Sequence, residues 1–429
     1  MGGQIANNIA MSLHRLGVKI IGTSPENIDN AENRFKFSRM LDQIGIDQPK
    51  WKELSDASSS KEFCNKVGYP CLVRPSYVLS GAMMSVIYSD EQMEEYLQNV
   101  IISNDYPVVI SKFITDAKEI EVDAVADNGI LKLWAISEHV EDAGIHSGDS
   151  ACVLPPYKIT SSALEQINII TKQLALKLGV IGLINIQFAY KDDMLYVLEV
   201  NPRASRTTPF VSKSTNVPLA KIAAQLSVGQ KLKNYNLPRW DSINHVSIKE
   251  AVLPFNKFPA ESIFLSPEMK STGEVMGISE NFGLSFYKAT LSAGIKLPES
   301  GLVFISVNNE DKFKIISIAR AFKELGFNIV ATEGTAKELI KNGMSAETVY
   351  KVGEGRPNIV DRIKNNEIDV VINTPLGAQS RYDEEAIGKA CIQKSIMAIT
   401  TLSAADAVLY AIRTKNKIKV KSIQEYHSS

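Results

Sequence analysis

The chain has 429 residues, of which 45% are hydrophobic and 22% charged, with a formal net charge of −1. That length suits two or three domains of about 100–200 residues each, and so even a charge balance excludes a global electrostatic case for nucleic acid or an anionic membrane. No run of about 18 apolar residues is present to span a bilayer, and no basic segment followed by an apolar core marks a secretion signal.

Four cysteines (Cys64, Cys71, Cys152 and Cys391) form no CxxC pair and accompany five scattered histidines. This argues against structural zinc and suits free thiols in a reducing cytoplasm. Gly2-Gly3-Gln4 opens a helical stretch to about Leu16, and an apolar strand is predicted at Val18-Lys19-Ile20-Ile21-Gly22. A glycine-rich turn opening a helix usually follows a strand in a βαβ unit. No such strand precedes it, so the chain reads as part of a larger polypeptide.

Residues 25–45 read as helix, with Phe35, Phe37, Met40, Leu41 and Ile44 as its apolar positions. Cys71 to Pro75 is a strand closed by proline, Ser76 to Met84 a loop, and Ser85 to Tyr88 a returning strand. Glu91 to Ile101 is an amphipathic helix. Strands follow at Val108–Phe113, Ile120–Ala126 and Leu131–Ile136, the second alternating Glu121 and Asp123 with apolar neighbours. Ser162 to Leu178 has a clear 3.6 period, stopped by Gly179.

Up to Tyr287 the mixture of antiparallel strands and helices is an α+β signature. From Gly301 the pattern changes to regular alternation. Strands are predicted at 302–307, 327–332, 348–351 and 368–373, and helices at 311–325, 335–342, 358–365 and 383–393. Such alternation predicts a separate parallel α/β domain after a linker near Ala293–Ser300.

The most informative stretch is Leu198-Glu199-Val200-Asn201-Pro202-Arg203. Side chains at i and i+2 of a strand share a face, so Glu199 and Asn201 point the same way, about 7 Å apart. That span suits two divalent cations about 3.5–4 Å apart, the spacing that clamps phosphates. Pro202 ends the strand. Arg203 and Arg206 follow as cations beside such a cluster, and oxygen ligands favour Mg2+ over zinc or copper. Gly182 to Tyr190 is apolar except for Asn185 and Gln187. A hairpin through Lys191-Asp192-Asp193 sets Gln187 roughly opposite Glu199, so three oxygen-bearing side chains converge on one sheet face.

A family resemblance rests on ordered motifs across nearly the whole chain. They are RPSYVLSG (74–81), EHVEDAGIHSGDSA (138–151), NIQF (185–188), LEVNPRASRT (198–207), PFVSK (209–213), LPFNKF (253–258), PEMKSTGEVMG (267–277) and EGRPNIVDRIKNNEID (354–369). Together they resemble the C-terminal half of the carbamoyl phosphate synthetase large chain. The resemblance implies an α+β ATP-grasp domain that phosphorylates carbamate with ATP, followed by an α/β parallel-sheet domain of the methylglyoxal-synthase type that binds effectors. It implies boundaries at 1–35 for a remnant of a preceding α/β subdomain, 36–293 for the ATP-grasp unit with its extension, and 300–429 for the regulatory domain.

It further implies ATP ligands at Arg74, Lys112, Ile114, Glu119, Gly144, Ile145, His146, Ser147, Gln187 and Glu199. Two Mg2+ (or Mn2+) ions would sit on Gln187, Glu199 and Asn201, with Arg203 and Arg206 at the transferred phosphoryl group or the carbamate. Phosphoryl transfer needs positioning and charge neutralisation more than covalent chemistry, which suits this set. Glu119 is suited to ribose hydroxyls, because a carboxylate accepts two donors.

In the second domain the resemblance implies a nucleotide-effector site at Lys312, Thr332, Thr335, Lys351 and Asn373; the helix start after Thr332 is suited to anions. An ornithine-type amine site is implied at Glu141, Asp149 and Glu250. Ser80-Gly81 stands where relatives often pair glycines, and Pro375 where they often have threonine. The implied partners are an N-terminal synthetase half, a glutaminase and a nucleotide effector, within an oligomer of the cytoplasm, and neither nucleic acid nor membrane. The alternatives are another ATP-grasp ligase or a regulatory fragment that only binds nucleotide.

Overall fold

The structure is a computed structural model and describes residues 3–54, 57–75, 84–99, 108–238, 240–255, 257, 265–374 and 381–428. The predicted loop at 76–84 and Pro375 therefore lie outside the described residues, apart from Met84. Three sheets organise the chain.

The first holds β1 (Trp51–Leu54), β2 (Cys71–Pro75), β3 (Ser85–Ile87) and β4 (Val108–Lys112) in the order β1-β4-β2-β3. The second holds β5 (Lys118–Asp127), β6 (Ile130–Asp142), β7 (Cys152–Leu154), β8 (Ile181–Lys191), β9 (Met194–Asn201), β10 (Val246–Val252) and β11 (Gly273–Ser279), in the order β11-β10-β7-β6-β5-β8-β9. Its strands pair antiparallel throughout. The third holds β12 (Gly301–Val307), β13 (Phe327–Thr332), β14 (Glu347–Val349), β15 (Val370–Thr374) and β16 (Met397–Ile399), in the order β14-β13-β12-β15-β16. Every pair in it is parallel, as the alternating pattern predicts.

Period-two alternation in β5, β8 and β9 divides the second sheet chemically. One face carries Ile120, Val122, Ala124, Ile184, Ile186, Phe188, Val197 and Val200 into a core under the helix Ser161–Lys177. Those strands bury nonpolar area at about 25 cal/mol per Å2 removed from water. The opposite face keeps the polar partners of the alternation and looks into a cleft. β8 and β9 are joined by Asp192 and Asp193, both at positive φ (50° and 60°). That is the conformation a tight two-residue hairpin turn requires, and aspartate tolerates it.

The second and third sheets share a core. Val140, Ala151, Val153 and Ile248 from one, and Val303, Ile305, Val370 and Ile372 from the other, belong to one buried cluster with the helices Phe282–Ser292 and Leu402–Thr414 between. β11 can lie against Phe282–Ser292 only because position 277 is glycine. A Cβ there would stand 2.0 Å from the Ser285 carbonyl oxygen and 2.5 Å from Ala289 N.

Two expectations need correction. Residues 18–22 form no strand: an extended segment needs a neighbour for its backbone hydrogen bonds, and no described strand pairs with it. The helix expected over 25–45 is two, Pro25–Glu32 and Arg34–Ile44. Asn33 breaks it, ending the first at φ −74° and ψ 113° and accepting the Lys36 N–H on its side chain to start the second. An asparagine that caps satisfies orphan amides a straight helix would not have exposed.

Candidate active site

The hairpin register sets the site. Gln187 pairs with Glu199 and Asn185 with Asn201 across β8 and β9, as the alternation predicts, while Glu121 pairs with Gln187 and Asp123 with Asn185 across β5 and β8. Two polar rows, Glu121–Gln187–Glu199 and Asp123–Asn185–Asn201, therefore cross three strands on one face. All of these but Asp123 line a cleft of about 1090 Å3, as do all the sequence-derived ATP, metal and arginine positions: Arg74, Lys112, Ile114, Glu119, Gly144 to Ser147, Gln187, Glu199, Asn201, Arg203 and Arg206.

Glu199 is held at both oxygens. Arg34 Nη2 donates to its Oε2 at 2.6 Å and Asn201 Nδ2 to its Oε1 at 2.8 Å. Burial alone would push this carboxyl up, but the Arg34 guanidinium and the Asn201 amide outweigh it and hold it at about 2. Arg203 Nη2 donates to Asn201 Oδ1 at 2.9 Å and to Gln4 Oε1 at 3.2 Å, and its Nε lies 3.7 Å from Glu32. Gln187 Nε2 donates to Ser147 Oγ at 2.9 Å, and Gln187 lines the cleft. Glu199, Asn201 and Gln187 thus offer hard oxygen donors only, a set that fits Mg2+ or Mn2+ and not a soft metal.

Cations rim the floor. Arg74, 9% exposed, donates from Nη2 to Ser111 Oγ at 3.2 Å, while its buried Nε has no hydrogen-bond partner. A buried N–H without a partner is uncommon and marks this guanidinium as incompletely satisfied. Burial, with Arg34 close by, holds the Arg74 guanidinium down at about 9. Arg206 is turned toward Glu274, its Nε 3.0 Å from Oε1, and toward Ser271 Oγ at 3.0 Å. Lys112 donates from Nζ to the carbonyls of Gly68 and Tyr69 at 2.9 and 3.0 Å. Its ammonium therefore braces that loop, while Phe113 and Ile114 follow it along the wall.

The 144–149 loop covers one side. Gly144 stands at φ +109°, and a Cβ on it would lie 2.3 Å from the Phe113 ring, so glycine is required there. Burial holds His146 below its ordinary range, and its Nδ1 accepts the Gly148 N–H at 3.0 Å as a neutral imidazole does. Lys249, 1% exposed on β10, pins the loop by donating to the Ser147 carbonyl at 2.7 Å.

The floor's buried acids continue into a network around His139, of which sequence reasoning gave a role only to Glu119. His139 sits between Glu119, 3.7 Å from Nδ1, and Glu121, 3.4 Å from Nε2. Burial disfavours its charged form, but Cys152 and these acids lift it well above the ordinary histidine range. Burial pushes Glu119 up to about 7 against His139, and Asp123 to about 7, where Glu121 adds to the push. Asn185 Nδ2 bridges Glu121 and Asp123 at 2.7 and 3.2 Å, and Ser205 and Thr207 hydroxyls close the network below the arginine loop. Arg34, Lys249 and His139 escaped notice for one reason. Each acts across more than a hundred residues or from another strand, and nothing beside them in sequence marks it. Only the Glu121/Asp123 alternation carried a local signal.

The three acids read as an amine site separate into a pair and a brace. Glu250 is pushed up to about 8 by burial and by the charge of Glu141. Glu141 Oε2 accepts from Ser150 Oγ at 2.5 Å and from Ala151 N at 2.8 Å. Asp149 instead accepts the backbone N–H groups of Lys270 and Ser271, at 2.7 and 2.8 Å, and so closes the 267–271 segment over the cleft.

In the parallel sheet, Thr332 and Asn373 lie at the carboxyl ends of β13 and β15, flanking β12, where the strand order changes direction. Such a crevice is the usual ligand position in open α/β sheets. The Thr332 side chain does not cap its helix; its hydroxyl is 3.3 Å from Ser306 Oγ and 3.4 Å from Thr335 Oγ1. Lys312 overhangs this helix start, its Nζ 3.2 Å from where a Cβ on Gly334 would stand. Lys351 is exposed beyond β14, its backbone N–H bonded to Glu354.

Fold and floor together define an ATP-grasp-type unit, with a parallel-sheet domain appended. Solved structures agree on the fold. The biotin carboxylase domain of Hydrogenobacter thermophilus 2-oxoglutarate carboxylase superposes with a TM-score of 0.55 at 14% identity, over 67% of this chain and 71% of that one. N5-carboxyaminoimidazole ribonucleotide synthetase gives 0.53 at 14%, over 68% and 78%.

Family models match residues 33–235 as the ATP-binding domain of the carbamoyl-phosphate synthase L chain and 314–400 as an MGS-like domain. The carbamoyl phosphate synthase large chain of Archaeoglobus fulgidus is 49% identical over 99% of this chain and 40% of its own length. The C-terminal section of the Aquifex aeolicus large chain is 45% identical over 100% of this chain and 84% of its own length. The chain belongs to the carbamoyl phosphate synthase large-chain family, as a counterpart of its C-terminal section, and spans about 40% of the full-length relatives. Among the described residues no helix is long and apolar enough to cross a membrane.

Proposed function

We propose that this chain phosphorylates carbamate with ATP to give carbamoyl phosphate, as the C-terminal half of a glutamine-dependent synthase whose N-terminal half and glutaminase supply carbamate and ammonia. The observation that carries this reading is the Gln187/Glu199/Asn201 register on a floor ringed by Arg34, Arg74, Arg203 and Arg206. Bound Mg2+, held by those three oxygens as two ions, would neutralise charge on the nucleotide's terminal phosphates.

The chain's own residues do the rest. Arg74 and its free Nε hold phosphate oxygens, and Glu119 faces ribose hydroxyls. The 144–148 loop, pinned by Lys249, excludes water, and Arg203 and Arg206 hold the carbamate carboxylate in line with the transferred group. Positioning and preorganised charge are what phosphoryl transfer needs. We read 1–35 as the remnant of a preceding α/β subdomain, 36–293 as the catalytic unit and 300–429 as the regulatory domain, in a cytoplasmic oligomer. Its four cysteines are free thiols.

Lys312, Thr332, Thr335, Lys351 and Asn373 take a nucleotide effector, and Glu141 with Glu250 takes a cationic amine such as ornithine, with Asp149 shaping that site from the loop. The test is the reverse partial reaction: the chain with ADP, Mg2+ and carbamoyl phosphate, read by ATP formation. ATP produced with carbamoyl phosphate but not with acyl phosphates of other ligases supports the reading. No ATP under any of these conditions refutes it.

A further inference from the structure

One cation on the cleft floor has a position that the proposed reaction does not by itself require. Asn33 starts the helix Arg34–Ile44 and places Arg34 in its first turn. From there Arg34 Nη2 reaches Glu199 Oε2 at 2.6 Å and Nη1 the Leu198 carbonyl at 3.4 Å, with the two charged side chains 15% and 26% exposed. The other Glu199 oxygen accepts from Asn201, whose own Oδ1 accepts from Arg203 at 2.9 Å. Guanidinium and carboxamide groups thus engage the same oxygens a divalent ion would ligate.

The guanidinium takes a lone pair on Glu199 Oε2 and sets a positive charge against any cation that approaches that carboxylate. Mg2+ is smaller, and it gives up its waters reluctantly for a single carboxylate. We propose that Arg34 is a positioning residue that competes with the divalent metal for Glu199, so that metal binds well only together with a nucleotide whose phosphates offer Arg34 another anion. The inference rests on the reading of Gln187, Glu199 and Asn201 as metal ligands.

Charge supports the exchange. Arg34 lies near enough to Arg74 to disfavour its cationic form, so two like charges stand beside the floor. A polyphosphate relieves that repulsion and releases Glu199 in one event, while a metal ion alone adds to it. Coupling of this kind is reciprocal: nucleotide tightens metal by the factor by which metal tightens nucleotide.

The test is Mn2+ binding, read by electron paramagnetic resonance on the full chain, with and without ADP. Wild type is expected to bind Mn2+ weakly alone and tightly with ADP. Arg34→Met is expected to tighten ADP-free Mn2+ binding by about tenfold to a hundredfold, the scale of losing a charge-assisted competitor. The gain should vanish in the double variant Arg34→Met/Glu199→Gln. Arg34→Lys keeps the charge but has a single-point donor, and is expected to fall between; it also stands in should Arg34→Met fold poorly by circular dichroism. Tight ADP-free Mn2+ binding by wild type, or no gain in either variant, overturns the proposal and leaves the metal assignment standing. No Mn2+ retained even with ADP overturns the metal assignment itself, and the proposal with it.

Discussion

Replacing Glu199 with glutamine removes one negative charge and changes almost no volume. In the structure that charge sits 2.6 Å from Arg34 and opposite Gln187 on the cleft floor. Both partners keep some solvent contact, so screening discounts the pair to about 1–2 kcal/mol. In a unit of this size each kcal/mol moves Tm by about 2–4 °C, so Glu199→Gln should melt about 2–8 °C lower, still cooperatively. Activity should fall much further. Loss of one preorganised electrostatic contact to the reacting phosphates typically costs about 10²–10³ in kcat. The assay is ATP formation from ADP and carbamoyl phosphate with saturating Mg2+, beside a melting curve on the same sample. A folded Glu199→Gln protein with near-normal phosphoryl transfer would refute the role given to this carboxylate.

Two further outcomes follow from packing and charge. Gly277→Ala puts a methyl group against backbone atoms that cannot yield, and should cost about 1–3 kcal/mol or more in urea unfolding; an unchanged midpoint would contradict the close approach of β11 and its helix. Glu250, at about 8 against an ordinary 4.5, binds its proton more tightly folded than unfolded. Its contribution is fully present below about pH 4.5 and is lost as pH rises through about 8. Relative to wild type, Glu250→Gln should gain Tm progressively between pH 5 and pH 9, and a constant difference across that range would count against the burial of an ionisable acid there.

How far this could be read from the sequence depended on distance along the chain. The hairpin was legible because its information is local: two apolar strands, a two-aspartate turn and period-two polar residues fix the register of Gln187 against Glu199. The parallel sheet was legible from strand–helix alternation. The strand expected at 18–22 was read from side chains alone, and pairing depends on a neighbour that sequence composition does not reveal. The break at Asn33 lay hidden inside an apolar period that fits one helix as well as two. Arg34 then escaped because its partner is 165 residues away. Asp149 was read as a ligand with Glu141 and Glu250, and in the fold its two oxygens also accept the amides of Lys270 and Ser271; loop closure of this kind has no signature in a one-dimensional pattern.

The most direct test of the central claim is anomalous diffraction from crystals of the chain grown with ADP and Mn2+. Manganese peaks between the ADP phosphates and the side-chain oxygens of Gln187, Glu199 and Asn201 are the expected result. Peaks elsewhere, with those three side chains turned from the phosphates, would contradict it.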